Sequence, residues 1–227
     1  MTAFFRVAWL VVRKDFAIEV RSWELVSTTI FFAFSCVLVF SFAFVEEGRV
    51  VADVAAGILW IAIALSGTLA LGRTFEREKQ TETLRALMLA PTDRPALYVG
   101  KLLGILLLMG LTEVMLVPLV ALFFQAPVAS SPFLFAALLV AGTVGYGAVG
   151  TLFAAMLVRA RGRDVMLPIL LYPVTVPVII AGVRGTAALF QATPDEAVAQ
   201  LWLGLLLFFD VAFVTLALWT FEPLMTE

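Results

Sequence analysis

Two carboxylates stand at positions where a membrane-crossing chain seldom carries acids. Glu113 lies midway along the apolar run Val99–Phe124, and Asp210 lies midway along Val198–Thr220. An ionised acid at the centre of a membrane helix costs roughly 2.5–3.5 kcal/mol on an insertion scale. No Lys or Arg lies at comparable depth. Each acid is therefore protonated, hydrogen-bonded inside a helix bundle, or facing water. Such groups suit an ion or proton pathway, or a contact with another subunit. A structural carboxyl pairing with Tyr172, Thr112 or a backbone carbonyl fits the sequence equally well.

The second chemical feature is a charged island. Arg73–Lys101 carries six of the fifteen Lys and Arg residues and sits between two long apolar runs. Within it, Thr74–Ala90 places Phe75, Leu84, Leu87 and Met88 on one helical face, with Glu76, Arg77, Lys79 and Glu82 around them. Glu78 and Glu82 stand one helical turn apart. Pro91 stops the helix, and Pro91-Thr92-Asp93-Arg94-Pro95 makes a turn into the next run. A short amphipathic helix of this kind fits a groove on a soluble partner. An ordinary loop helix at the membrane surface has the same pattern.

Other chemistry is excluded by composition. The chain has no histidine and a single cysteine, Cys36, so zinc and iron–sulfur ligation find no residue set. No Gly-x-x-x-x-Gly-Lys-Ser/Thr motif occurs; Gly100-Lys101 is followed by Leu102 and lacks the magnesium-binding hydroxyl. The expectation is a non-catalytic chain with no metal site and no catalytic residue. ATP-driven work would need an ATPase in another chain.

The elements that position these residues follow from the apolar pattern. The chain is 63% hydrophobic and 14% charged, well outside the range of soluble domains. Runs of about 20 apolar residues cross a bilayer as helices, and six are present: 25–44, 54–72, 99–124, 132–158, 165–183 and 198–220. They predict an all-α, polytopic membrane protein with one transmembrane permease domain over 1–227. Residues 3–23 alternate apolar and charged positions and suit a helix lying in the interface. The termini and the even-numbered loops hold thirteen of the fifteen basic residues. By the positive-inside rule both termini are cytoplasmic.

Small residues recur in the fourth run at spacing four, as Ala137, Ala141 and Gly145, and as Thr143, Gly147, Thr151 and Ala155. They let helices approach closely, with packing inside the monomer favoured over a dimer face. Pro168, Pro173 and Pro177 each remove a hydrogen bond from the fifth run, giving either a point of bending or a static kink. Met109, Met115 and Met156 read as apolar fillers rather than haem ligands.

The segment Glu76-Arg77-Glu78, Thr83-Leu84, Leu87 and Pro91 resembles the coupling-helix loop of ABC-2 type exporter permeases. Gly57-Ile58-Leu59-Trp60, Arg73-x-Phe75, Leu84-x-x-Leu87-Met88-Leu89-x-Pro91 and Lys101 are similar to the CcmB family, the permease subunits of cytochrome c maturation. The proline-rich stretch Leu167–Pro177 is similar to that family too. This chain departs from the family pattern with Glu82 before the Thr-Leu pair and Arg85 after it.

The resemblance implies a coupling helix over 74–90 that receives the motion of a cytoplasmic ATPase through Phe75, Glu76, Arg77, Glu78, Glu82, Leu84, Leu87 and Met88. It implies a homodimer with a CcmA-like ATPase that binds ATP and magnesium. A CcmC-like haem-handling membrane protein, a small CcmD-like membrane subunit and a CcmE-like periplasmic haem chaperone complete the set, in the bacterial inner membrane and without nucleic acid. Haem would be handled by the complex, either exported or released on the chaperone. Three rival readings are an ABC-2 permease for a lipid, polysaccharide or drug, an ion-coupled carrier using Glu113 and Asp210, and a purely structural scaffold for a membrane complex.

Overall fold

The computed structural model describes residues 2–44, 52–80, 94–157, 160 and 162–224. These form seven helices: α1 (Thr2–Ser22), α2 (Glu24–Phe44), α3 (Ala52–Gln80), α4 (Arg94–Phe124), α5 (Pro132–Met156), α6 (Arg163–Leu189) and α7 (Glu196–Leu224). No strand occurs among the described residues. Helices are the expected outcome for continuous apolar runs, because each satisfies its backbone polar groups internally in lipid. Helices α2 to α7 are each long and apolar enough to cross a membrane. The chain is an all-helical, multi-pass membrane protein.

Helix α5 sits at the centre and packs against α7, α6, α4 and α3. In the most apolar stretch of each span, 67% of the residues of α3 and of α5 are buried, against 22% of those of α7. The bundle thus has α3 and α5 at its core, with α2 and α7 most toward lipid. Trp60 is the keystone of that core. Its indole fills a notch left by Gly142 on α5 and Gly182 on α6, where an added Cβ would stand 2.1 and 2.3 Å from the ring. Its Nε1 donates to Thr186 Oγ1 at 3.0 Å. Nearby, Tyr146 OH donates to the Ala64 carbonyl at 2.7 Å and lies 2.6 Å from Thr68 Oγ1. Tyr172 OH lies 3.1 Å from the same Thr68 hydroxyl. Dispersion and a few interhelical hydrogen bonds hold helices together in lipid, where no hydrophobic drive between them remains.

Helix α1 turns its buried face, Ala8, Val11 and Val12, toward the bundle and packs mainly on α4. Phe5, Trp9 and Phe16 form an exposed flank beside it, and Arg6 and Arg13 lie further round. The helix is thus amphipathic, as the alternation over residues 3–23 predicts. The helix breaks at Trp23, whose φ of 53° is left-handed and ends α1 as helices commonly end. Ser27 N–H donates to the Trp23 carbonyl at 3.0 Å to open α2.

One expectation is revised in its described part. A separate helix over 74–90 is not what the described part shows: Thr74–Gln80 forms the last turns of α3. Nothing between Leu71 and Gln80 breaks a helix except Gly72, and one glycine costs only about 1 kcal/mol. At 29 residues, α3 is about 43 Å long at 1.5 Å per residue, so it outruns a hydrocarbon layer of about 30 Å. The remainder of the expected coupling helix, with Glu82, Leu84, Leu87 and Met88, lies outside the described residues. The three prolines of α6 stand inside one uninterrupted helix over Arg163–Leu189.

Candidate functional site

The two intramembrane acids flank α5. Glu113 projects from α4 and is buried; the Thr143 hydroxyl of α5 donates to its Oε1. Asp210 projects from α7 and is equally buried. Its Oδ1 makes no hydrogen bond and rests in the notch left by Gly145, 2.6 Å from where a Cβ would stand. Thr143 and Gly145 are two positions apart, about 200° around the helix. The acids therefore occupy opposite flanks of α5 rather than one site. The partners expected for them from sequence are otherwise engaged: Thr112 donates to the Leu108 carbonyl at 3.0 Å, and Tyr172 pairs with Thr68. Thr143 entered the sequence reading only as a small residue; nothing local marks it as the partner of Glu113.

The small-residue lines of α5 are used inside the monomer. Gly145 faces Asp210 and Phe209 of α7 and Val178 of α6, whereas Gly147 faces Leu102 and Leu106 of α4. The methionines do not converge: Met109 packs its Sδ and Cε against Gly67, while Met115 and Met156 are exposed. Among the described residues no cluster of three or more His, Cys, Asp or Glu could hold a metal ion.

The charged island is held by two long helices. Phe75, Glu76, Arg77 and Glu78 sit on the extension of α3, and α4 begins at Arg94. Lys101, expected at the watery edge of the island, is instead only 5% exposed. Its Nζ donates to Asp15 Oδ2 of α1 at 2.7 Å. Lys14 Nζ lies 3.1 Å from Asp15 Oδ1. A buried amine needs such a counter-charge, and the sequence offers no local sign of this pairing across α1 and α4.

Comparison with known proteins decides the family. The family model described as "CcmB protein" matches residues 6–223. The chain belongs to the CcmB family. Among its relatives, Heme exporter protein B of Pseudomonas aeruginosa is 29% identical over 184 residues, covering 81% of each chain. Heme exporter protein B of Paracoccus denitrificans is 33% identical over 152 residues, covering 67% of this chain and 69% of the relative. That of Rhodobacter capsulatus is 32% identical over 136 residues, covering 60% and 62%.

In this CcmB-family chain two of the residues that carry the resemblance are structural anchors. Trp60 locks α3 into α5 and α6, and Lys101 locks α4 onto α1. At the opposite end of the bundle hydroxyl and backbone donors meet carboxylate and carbonyl acceptors. Ser131 Oγ donates to Glu196 Oε1 at 2.6 Å, Ser130 Oγ to the Leu189 carbonyl at 3.3 Å, and Val198 N–H to Asp195 Oδ1 at 3.1 Å. Phe135 of α5 and Phe190, which follows α6, pack with ring centroids 5.6 Å apart.

Proposed function

We propose that this chain is the membrane permease subunit of an ABC complex in cytochrome c biogenesis. Haem is its cargo, exported or released on a periplasmic chaperone. The observation that carries this reading is the CcmB family match over nearly the whole chain, with relatives named Heme exporter protein B. The chain lies in the bacterial inner membrane with both termini cytoplasmic, the orientation its basic residues favour.

Lacking a phosphate-binding loop, the chain takes its energy from a CcmA-like ATPase that binds ATP and magnesium. Two copies of each pair up, beside CcmC-like, CcmD-like and CcmE-like proteins. The ATPase engages the segment bearing Phe75, Glu76, Arg77, Glu78, Glu82, Leu84, Leu87 and Met88. The geometry supports this route: α3 runs beyond the bilayer and α4 returns at Arg94, so the connecting residues are attached to both helices. The flanking of α5 by Glu113 and Asp210 offers no shared carboxylate pair for ion coupling.

A pull-down from native membranes tests the proposal, with ATPase assays on the purified assembly. An ATP-hydrolysing subunit co-purifies, and Glu76→Lys or Glu82→Lys lowers cytochrome c maturation while the permease stays in the membrane. A stable native assembly without any ATPase overturns the reading.

A further inference from the structure

We propose that the Asp15–Lys101 ion pair clamps α1 to α4 so that the two helices carry the ATPase-driven displacement as one body. The inference rests on the permease reading above and adds a route for the motion.

The start of α4 is gripped on two sides. Gly100 lets α1 approach so closely that a Cβ would stand 2.8 Å from Val11 Cβ and 2.9 Å from the Ala8 carbonyl oxygen. One residue later, Lys101 meets Asp15 at 2.7 Å, and a turn further Gly104 lies under the same aspartate. On the other side Tyr98 OH donates to the Ala148 carbonyl of α5 at 3.0 Å, and its ring lies 5.3 Å from that of Phe221 on α7. All these contacts fall within about three turns of Arg94, where displacement of the preceding segment enters the helix.

Lys101 is buried and Asp15 partly so; such an ion pair adds little net stability, because desolvation offsets the attraction, and fixing register is the best-attested use of buried charge pairs. The other close contact between α1 and α4, Ala8 and Val11 on Gly100, is apolar and sets how near the helices come. The ion pair supplies the resistance to sliding. Helix α1 rests on the membrane surface by Phe5, Trp9 and Phe16 and travels with α4. Without the pair, α4 slides past α1 and ATP is hydrolysed with less haem moved.

The test uses Asp15→Cys with Gly104→Cys in a Cys36→Ser chain, purified with its ATPase and reconstituted in proteoliposomes. A Cβ at 104 would stand 4.0 Å from Asp15 Cβ, inside the disulfide range of about 3.5–4.5 Å. When reduced, the protein lacks the ion pair; when oxidised, a covalent bond replaces it. ATP hydrolysed and haem delivered, free or chaperone-bound, are measured in both states.

The expected result is retained hydrolysis with haem per ATP down roughly fivefold or more when reduced, the lower end of ordinary coupling energies, and recovery on oxidation. Full coupling when reduced overturns the clamp, and so does an oxidised protein that stays impaired. If the double-cysteine chain does not assemble, the swap Asp15→Lys with Lys101→Asp is read instead. It restores the coupling that either single change removes, and failure to restore overturns the clamp. An assembly with no ATPase counts against the permease reading, not against this one.

Discussion

On the α4 flank of α5 Glu113 is met by the Thr143 hydroxyl, whereas on the α7 flank Asp210 fits a notch at Gly145 and its Oδ1 has no hydrogen-bond partner. The residue class is the same and both side chains are 8% exposed. One acid is held by chemistry and the other by shape. A polar group buried in a bilayer protein is kept either by a partner that satisfies it or by a packing surface that has no room for anything larger. The two arrangements leave opposite signatures: the Glu113 flank is sensitive to loss of a hydroxyl, and the Asp210 flank to gain of a methyl.

The largest expected effect is therefore steric. In Gly145→Ala the new Cβ stands 2.6 Å from Asp210 Oδ1, 3.2 Å from Phe209 and 3.3 Å from Val178, so the Asp210 carboxyl, with the side chains packed around it, must give way. Overpacking of this kind costs about 1–3 kcal/mol. The thermal unfolding midpoint in detergent falls, and adding Asp210→Ala recovers most of the loss. An equal loss in both backgrounds would show that the carboxylate does not fill the notch, and the comparison would fail on its α7 side.

Next comes the Glu113 flank. Thr143→Val keeps the shape of the side chain and removes the donor, leaving a buried carboxyl unmatched. The cost is about 1–2 kcal/mol, the size of interhelical hydrogen bonds in model membrane systems. Glu113→Gln retains an acceptor for the same hydroxyl and shifts the midpoint by less. In a double-mutant cycle Thr143→Val and Glu113→Ala are non-additive by about 0.5 kcal/mol or more, as for residues in direct contact. Additivity would dissolve the pairing.

These contacts mark the limit of what the residues alone disclose. The all-α membrane fold was legible because long apolar runs leave a chain in lipid few alternatives. The two acids were legible as anomalies for the same reason. Their partners were not: Thr143 and Gly145 share α5 with many other small residues, and only the way α4 and α7 dock selects them. Lys101 is the clearest case. Its neighbours in the chain suggest an exposed basic island, yet α1, some eighty residues earlier, covers it. The continuity of α3 through Thr74–Gln80 was obscured by composition, since a change from apolar to charged residues marks the end of a membrane layer and not the end of a helix. The family was legible from short motifs around Trp60 and Lys101, whose structural roles emerge only when three helices meet.

The smallest expected shift in stability is also the most informative about function. Asp210→Asn is close to isosteric and breaks no hydrogen bond to Oδ1, so stability changes by less than about 1 kcal/mol, below the cost of leaving a satisfied buried group unpaired, and the unfolding midpoint moves little. The same variant is assayed for covalent haem on c-type cytochromes. With the fold intact, a fall in haem attachment reads what the acid does as an acid, separately from the space it fills. Unchanged attachment assigns Asp210 to packing. A midpoint loss as large as that of Thr143→Val would mean that Asp210 has a hydrogen-bond partner in the membrane after all, and the two flanks of α5 would then differ in partner rather than in principle.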